Sequence, residues 1–289
     1  MSFSSDIKEK LTEIKKKCPF CDLHELAGFF GSAAKIKNDG IILVTENKKA
    51  AEREADIISD RYGKKTEVTQ NQNIYKIEIK DEMLNMKLLS DIKFFKKNIR
   101  IGKECCKGAY IRGAFLGGGS ITNPEKSYHM EFDYKFREQA DKLEEVLKEL
   151  GIDAKRTERK GHTVIYVKGY ELIAGILGCM GAGAAAIEIY NISAEKEIRN
   201  GINRQMNCEN ANMDKVAQAY CRHLAAIEKI EKQIGFDKLP ETLREAAEIR
   251  INYPEDSLKE LGERFKKPIG KSGVNHRLNR LMEIAEGLK

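Results

Sequence analysis

The chain has no long apolar run. Its longest uncharged apolar stretch, Leu172 to Ile187, is shorter than the ~18 residues read as a spanning helix, and Gly175, Gly178, Gly181 and Gly183 interrupt it. That stretch is expected to be buried in protein, with no membrane partner. An apolar leader is missing as well. Met1-Ser-Phe-Ser-Ser-Asp-Ile-Lys-Glu-Lys10 is charged where a secretory signal carries an apolar core of roughly 7 to 15 residues, so a cytoplasmic protein is expected. Nor is there an even set of cysteines. Seven Cys without an export signal argue against a disulfide framework and for reduced thiols.

What is present suits a globular protein. A chain of 289 residues, 41% hydrophobic and 33% charged, is long enough for two domains of ordinary size. A net charge of +6 and a pI near 8.8 permit an acidic partner such as DNA without demanding one. Where the charge lies matters more.

The chain repeats itself. Tyr110-Ile-Arg-Gly-Ala-Phe-Leu-Gly-Gly-Gly-Ser120 has a weaker upstream copy in Glu25-Leu-Ala-Gly-Phe-Phe-Gly-Ser-Ala-Ala34. One offset of 85 positions carries Gly28 onto Gly113, Cys21 onto Cys106, Ala55 onto Ala140 and Asp56 onto Asp141, which a duplicated unit predicts. Small residues recur at helical spacing in both segments: Ala27, Gly28, Gly31 and Ala34, then Gly113, Gly117 and Ser120. Glycine costs ~1 kcal/mol against alanine inside a helix. Close backbone approach between two such helices supplies the reason for it.

Periodicity predicts helices over 7–17, 50–62 (closed by Gly63), 83–95, 136–150 (stopped by Gly151) and from Tyr170 onward. Strands are expected at 41–44 and 74–80. A third spans 127–133, with Tyr128, Met130 and Phe132 inward, and a hairpin over 154–167 turns at Lys160-Gly161. Each copy therefore approximates helix, two strands, helix, two strands, helix. Cys18-Pro-Phe-Cys21 has metal-ligand spacing, and Cys105-Cys106 stands at the repeat-equivalent place. Four thiolates would meet if the copies pack about a pseudo-twofold axis, an arrangement that suits zinc. Against this, adjacent Cys105 and Cys106 are awkward joint ligands and free Cys behaves as a small buried hydrophobe. No cofactor, no metal ligand and no catalytic residue is expected.

Residues 196–212 are polar and Asn-rich and read as a linker, with Asn212 capping a helix from 213 to 234. Pro240 opens another helix, Ser257-Leu-Lys-Glu260 is a capping box, and a last helix from Ser272 buries Val274, Leu278 and Leu281. Between Glu263 and Glu283 the sequence has no acid but has Arg264, Lys266, Lys267, Lys271, Arg277 and Arg280. A short helix, a basic turn and a helix displaying Asn and Arg read as a helix-turn-helix, although 266–271 is longer than its usual ~3 to 4 residue turn. Asn275, Asn279 and Arg280 are candidate base readers. Lys266, Lys267, Lys271 and Ser272 are candidate phosphate contacts, with Lys259, His276 and Arg277 completing the set. Lys155, Arg156, Arg159 and Lys160 in the hairpin are read either as backbone contacts or as a solvated charged loop.

The paired Gly-rich helices resemble the LAGLIDADG homing endonuclease fold over roughly residues 20–195. In that family the last-but-one residue of the motif is a metal-binding acid. Ala33 and Gly118 stand there instead, so no cleavage is expected. Three motifs in order resemble the WhiA family: 105–120, Asn203-Arg-Gln-Met-Asn-Cys-Glu-Asn-Ala-Asn212, and Lys271-Ser-Gly-Val-Asn-His-Arg-Leu278. The resemblance implies an α+β fold: a duplicated αββαββα domain (copies 1–100 and 101–195), linker 196–212 and an all-α helix-turn-helix over 213–289. It also implies a regulator that binds double-stranded DNA and is concerned with cell division, chromosome segregation and sporulation. An active nuclease, or an N-terminal module that binds a protein or ligand, are the competing readings.

Overall fold

The computed structural model describes residues 2–37, 40–96 and 101–288. It divides into two compact units, residues 1–196 and 197–289.

In the first unit, helix α1 (Phe3–Thr12) precedes two copies of one pattern. The first runs α2 (Cys21–Ala33), β1 (Ala34–Lys37), β2 (Gly40–Thr45), α3 (Lys48–Tyr62), β3 (Val68–Asn71), β4 (Ile74–Ile79), α4 (Glu82–Asp91). The second runs α5 (Glu104–Gly118), β5 (Gly119–Ile121), β6 (His129–Tyr134), α6 (Arg137–Glu149), β7 (Lys155–Arg159), β8 (His162–Lys168), α7 (Tyr170–Met180). Each copy folds an antiparallel four-stranded sheet with the same strand order, β1-β2-β4-β3 and β5-β6-β8-β7. The central pairs carry the alternation read from sequence: Leu43 opposes Ile77, and Phe132 opposes Ile165. Their inward side chains, Met130, Phe132 and Tyr134 among them, are fully buried. Asn47 caps α3 through Ala50 N–H, and Gly63 (φ 68°) ends it. Lys160 and Gly161 both have positive φ, as a two-residue hairpin requires.

Helices α2 and α5 are the axis of this unit. A Cβ added to Gly28 would lie 1.9 Å from the Tyr110 carbonyl oxygen, and one on Gly113 would lie 1.9 Å from the Glu25 carbonyl oxygen. Tyr110 is the repeat-mate of Glu25 at the 85-residue offset, so the two contacts are one contact related by pseudo-twofold symmetry. Across this seam Glu25, fully buried, accepts from Arg53 Nε at 2.5 Å and Arg112 Nη2 at 2.6 Å, while Arg112 also donates to the Met180 carbonyl at 2.8 Å.

Several expectations are corrected. The first helix stops at Thr12, not 17, because Arg53 takes the Thr12 and Ile14 carbonyls at 2.8 Å and gives those groups a tertiary partner in place of a further turn. The 83–95 helix ends at Asp91, where a turn with Lys93 at φ 52° follows. The expected boundary between copies abuts residues 97–100, which lie outside the described residues. The largest correction is at 196–212. This stretch is not loop but the middle of helix α8 (Gly183–Gln233), and Asn212 is no cap. No proline occurs between Pro124 and Pro240, Gly201 alone costs ~1 kcal/mol, and i,i+4 contacts such as Gln205 Nε2 to Glu209 Oε1 at 3.0 Å support the turns. Almost every residue of this stretch is exposed, Ile198, Ile202 and Met206 included, so the helix has no core to face here.

The second unit has its own core. Ile227 and Ile230 of α8 pack with Leu243 and Ala247 of α9 (Glu241–Asn252), Leu261 of α10 (Leu258–Glu263), and Val274, Leu278 and Leu281 of α11 (Lys271–Gly287). Both hydrogen bonds of the Ser257–Glu260 capping box form. No helix among the described residues is long and apolar enough to cross a membrane.

Candidate nucleic-acid interface

The C-terminal ends of α2 and α5 meet at a cleft of ≈ 570 Å³ between the two copies. Ser32, Ala33, Gly117, Gly118, Glu131 and Asp133 line it, so both positions where the fold would carry a catalytic acid are here. Neither has one. At Gly118 the packing also leaves no room: a Cβ would lie 2.7 Å from the Asp133 carbonyl oxygen and 2.9 Å from Ser32 Cβ. The nearby carboxylates have other partners. Glu131 accepts from Ser120 Oγ at 3.3 Å and sits 3.3 Å from His129 Nε2, while Asp133 is 2.8 Å from His162 Nδ1. Lys8, whose ammonium reaches the Leu116 carbonyl at the cleft edge, is brought down to about 8 by burial against a smaller upward pull from Glu46. Of the four basic hairpin residues, Arg156 is held by Asp141 at 2.5 Å and by Glu144, and Arg159 stands 3.9 Å from Glu131.

At the opposite, N-terminal ends of these helices the Sγ atoms of Cys18, Cys21, Cys105 and Cys106 all lie within 4.8 Å of one another. Among the described residues this is the one group of three or more His, Cys, Asp or Glu that converges as metal ligands would.

In the second unit α10 and α11 are joined by a turn that only glycine closes. Ile269 N–H donates to the Gly262 carbonyl at 3.0 Å, and a Cβ on Gly262 would lie 2.2 Å from the Ile269 carbonyl oxygen. This closure seats the buried side of α11, Val274, Leu278, Leu281 and Ala285, on the core. Ser272, Asn275, His276, Asn279 and Arg280 are all exposed on the other side. Lys266, Lys267 and Lys271 are exposed around the turn and helix start. Lys259 and Lys271 border one recess of ≈ 430 Å³ with Lys215 of α8. Lys215 was not singled out from sequence, since nothing local marks a lysine more than forty positions away as a neighbour of Lys259.

Arg277 stands apart from the set. It is half-buried, its guanidinium 4.7 Å from the Phe265 ring centre and 3.9 Å from Glu245. Glu245 also accepts the Lys266 backbone N–H at 2.7 Å. The acid-free run in sequence is thus met in space by an acid from α9. Arg280 pairs with Glu283 one turn on, at 2.6 Å and with both side chains exposed. Behind the helices, Arg250 is buried over the Tyr220 ring and donates to the Asp256 carbonyl at 2.8 Å. His223 is buried beside it and driven down to about 4 by desolvation and then by the Arg250 and Arg222 charges.

Comparison with known proteins agrees with this two-part layout. Residues 107–199 match the family model described as the WhiA LAGLIDADG-like domain, and residues 202–285 match the WhiA C-terminal HTH domain. The chain is 41% identical to the "Probable cell division protein WhiA" of Caldicellulosiruptor saccharolyticus, covering 100% of this chain and 96% of that one. It is 39% identical to the protein of the same name from Alkaliphilus metalliredigens, covering 99% and 98%. Among solved structures, full-length WhiA from Thermatoga maritima superposes with a TM-score of 0.62 at 26% identity, covering 100% of this chain and 99% of that chain.

Proposed function

This chain belongs to the WhiA family, and on that premise we propose that it is a sequence-specific DNA-binding regulator whose helix α11 reads base edges in the major groove. One observation carries the reading: the exposed face of α11 gathers amide, imidazole and guanidinium groups while its opposite face is locked into the core. Asn275 and Asn279 suit adenine, which offers a donor and an acceptor in the major groove, and Arg280 suits guanine, which offers two acceptors. Lys259, Lys266, Lys267, Lys271 and Ser272, with Lys215, serve phosphates at the flank. In this reading Arg277 holds the turn rather than DNA.

The first unit does not cut. Phosphodiester hydrolysis on this scaffold needs metal to stabilise charge on the attacking and leaving oxygens, and Ala33 and the crowded Gly118 offer no ligand. The cleft instead favours a second role for this unit, capture of a protein or small-ligand partner with α11 as output. The cellular role that follows is transcription regulation in cell division, chromosome segregation and, in sporulating species, sporulation, exercised in the cytoplasm at the nucleoid.

The test is duplex selection with the full chain, followed by binding at several salt concentrations. A recovered consensus bound at least tenfold more tightly than random duplex supports the proposal, and equal affinity for all duplexes refutes sequence-specific reading. Nicking in Mg²⁺ that tracks with the purified chain would refute the non-cleaving role.

A further inference from the structure

We propose that Cys18, Cys21, Cys105 and Cys106 form a structural zinc site that pins the two copies of the first unit together at the N-terminal ends of α2 and α5. Cys18 Sγ stands 3.5 Å from both Cys21 Sγ and Cys106 Sγ, Cys21 Sγ is 3.7 Å from the Cys105 carbonyl, and all four sulfurs lie within 4.8 Å of one another. Four thiolates at ~2.3 Å from a tetrahedral zinc ion are ~3.8 Å apart, so the cluster already has the right scale. A disulfide could join only two of the four and would leave two thiols over. An iron–sulfur cluster spreads its cysteines over separate irons and needs a wider cage.

The local electrostatics fit an anionic centre. Zinc with four thiolates carries two net negative charges. Cys21 is the first residue of α2, and Cys105 and Cys106 lie in the first turn of α5, so two helix N-termini point their positive ends at the sulfurs. Lys15 and Lys17 border the same spot with Cys21 and Cys105. Burial is graded as a site with an entry path requires: Cys21 and Cys106 are buried, Cys18 and Cys105 half-exposed. The adjacency of Cys105 and Cys106 is no obstacle, since helix geometry here turns both sulfurs to the same centre. Binding is simple coordination: four S–H protons pass to solvent, four S–Zn bonds form, and no electron is transferred. Soft thiolates and a closed four-sulfur set select zinc over hard divalent cations. The site closes a loop of more than eighty residues between the turn that starts α2 and the start of α5, at the end of the seam remote from the cleft.

The experiment uses the full chain, untagged, purified with reductant from zinc-supplemented cells. Elemental analysis should find one zinc per chain, and chelation should lower the melting temperature. Refilling the chelated protein with Co²⁺ should give a thiolate-to-cobalt charge-transfer band together with the intense visible bands of tetrahedral cobalt. A double variant, Cys18→Ser with Cys105→Ser, should lose at least tenfold of the bound zinc. A triple variant of the exposed thiols, Cys179→Ser, Cys208→Ser and Cys221→Ser, should keep it. Zinc below a tenth of an equivalent with no tetrahedral cobalt spectrum overturns the proposal, whether or not the double variant folds. So does zinc that follows the exposed thiols, a disulfide among the four cysteines, or the broad visible absorption of an iron–sulfur cluster.

Discussion

At the scale of single residues the most exacting positions are glycines that carry no chemistry. Gly28→Ala or Gly113→Ala would drive a methyl group to 1.9 Å from a backbone oxygen of the facing helix. Neither helix can yield without opening the whole seam, so each change is expected to cost ~3 kcal/mol or more. Gly175→Ala in α7 meets nothing within 4 Å and should stabilise by up to ~1 kcal/mol, because alanine loses less backbone entropy. Chemical denaturation of the three variants checks both signs, and equal effects would remove the close-approach explanation. Glu25→Gln makes a different point at the same seam: the buried Arg112 and the half-buried Arg53 lose their counter-charge, and a loss of ~3 to 5 kcal/mol is expected in the same assay.

At the scale of elements, α11 and the turn before it separate three kinds of arginine and lysine. Arg280→Ala should cost ~1 to 3 kcal/mol at one base position of the selected site and little elsewhere. Lys267→Ala should weaken all duplexes alike and reduce the salt slope by ~1. Arg277→Ala should leave base preference unchanged but lower the melting temperature of the second unit, since it gives up the Phe265 stack and the Glu245 pair. Binding titrations across single-base variants of the site, with thermal melts alongside, distinguish the three. The display face was legible in sequence because it rests on local periodicity: Asn275 with Asn279 and His276 with Arg280 are each four apart, opposite Val274, Leu278 and Leu281. The Arg277 contacts were not, because Glu245 and Phe265 come from elsewhere in the chain. The same division holds for the first unit. Gly-rich α2 and α5 announce themselves by repeat, β4 and β6 by alternation, β2 by its apolar run Ile41 to Val44, and β8 by the Lys160-Gly161 hairpin turn. Edge strands β1 and β3 are four residues long, mostly exposed, and defined only by pairing with β2 and β4. In α8 an Asn-rich texture concealed a helix that no proline interrupts.

At the scale of the whole molecule, the two units have separate cores and carry buried titratable groups of opposite habit, so pH should act on them in opposite directions. Glu54 in α3 is fully buried with no hydrogen-bond partner for either carboxylate oxygen, and its pKa is raised well above 4.5 by desolvation and then by the Glu25 charge, against the pull of Arg53 and Arg112. Its carboxyl holds its proton to higher pH in the folded first unit than in the unfolded chain, so the stability it contributes is complete below ~4.5 and is lost as pH rises through the raised folded value. His223 in the second unit is held down to about 4 and stays neutral when folded. The unfolded chain binds its proton below ~6.5, so the stability this group contributes is present above ~6.5 and is lost as pH falls toward 4. Each group supplies a slope of at most ~1.4 kcal/mol per pH unit where its proton count differs between states. Between pH ~4.5 and ~6.5, where each group differs in protonation between the folded and unfolded chain, hydrogen exchange of the zinc-free chain followed separately in residues 1–196 and 197–289 should show the Glu54 contribution falling with rising pH and the His223 contribution rising. Glu54→Gln should flatten the first slope alone and His223→Gln the second alone. A variant that flattens both slopes, or neither, would show that the two buried groups do not set the pH response of their own units.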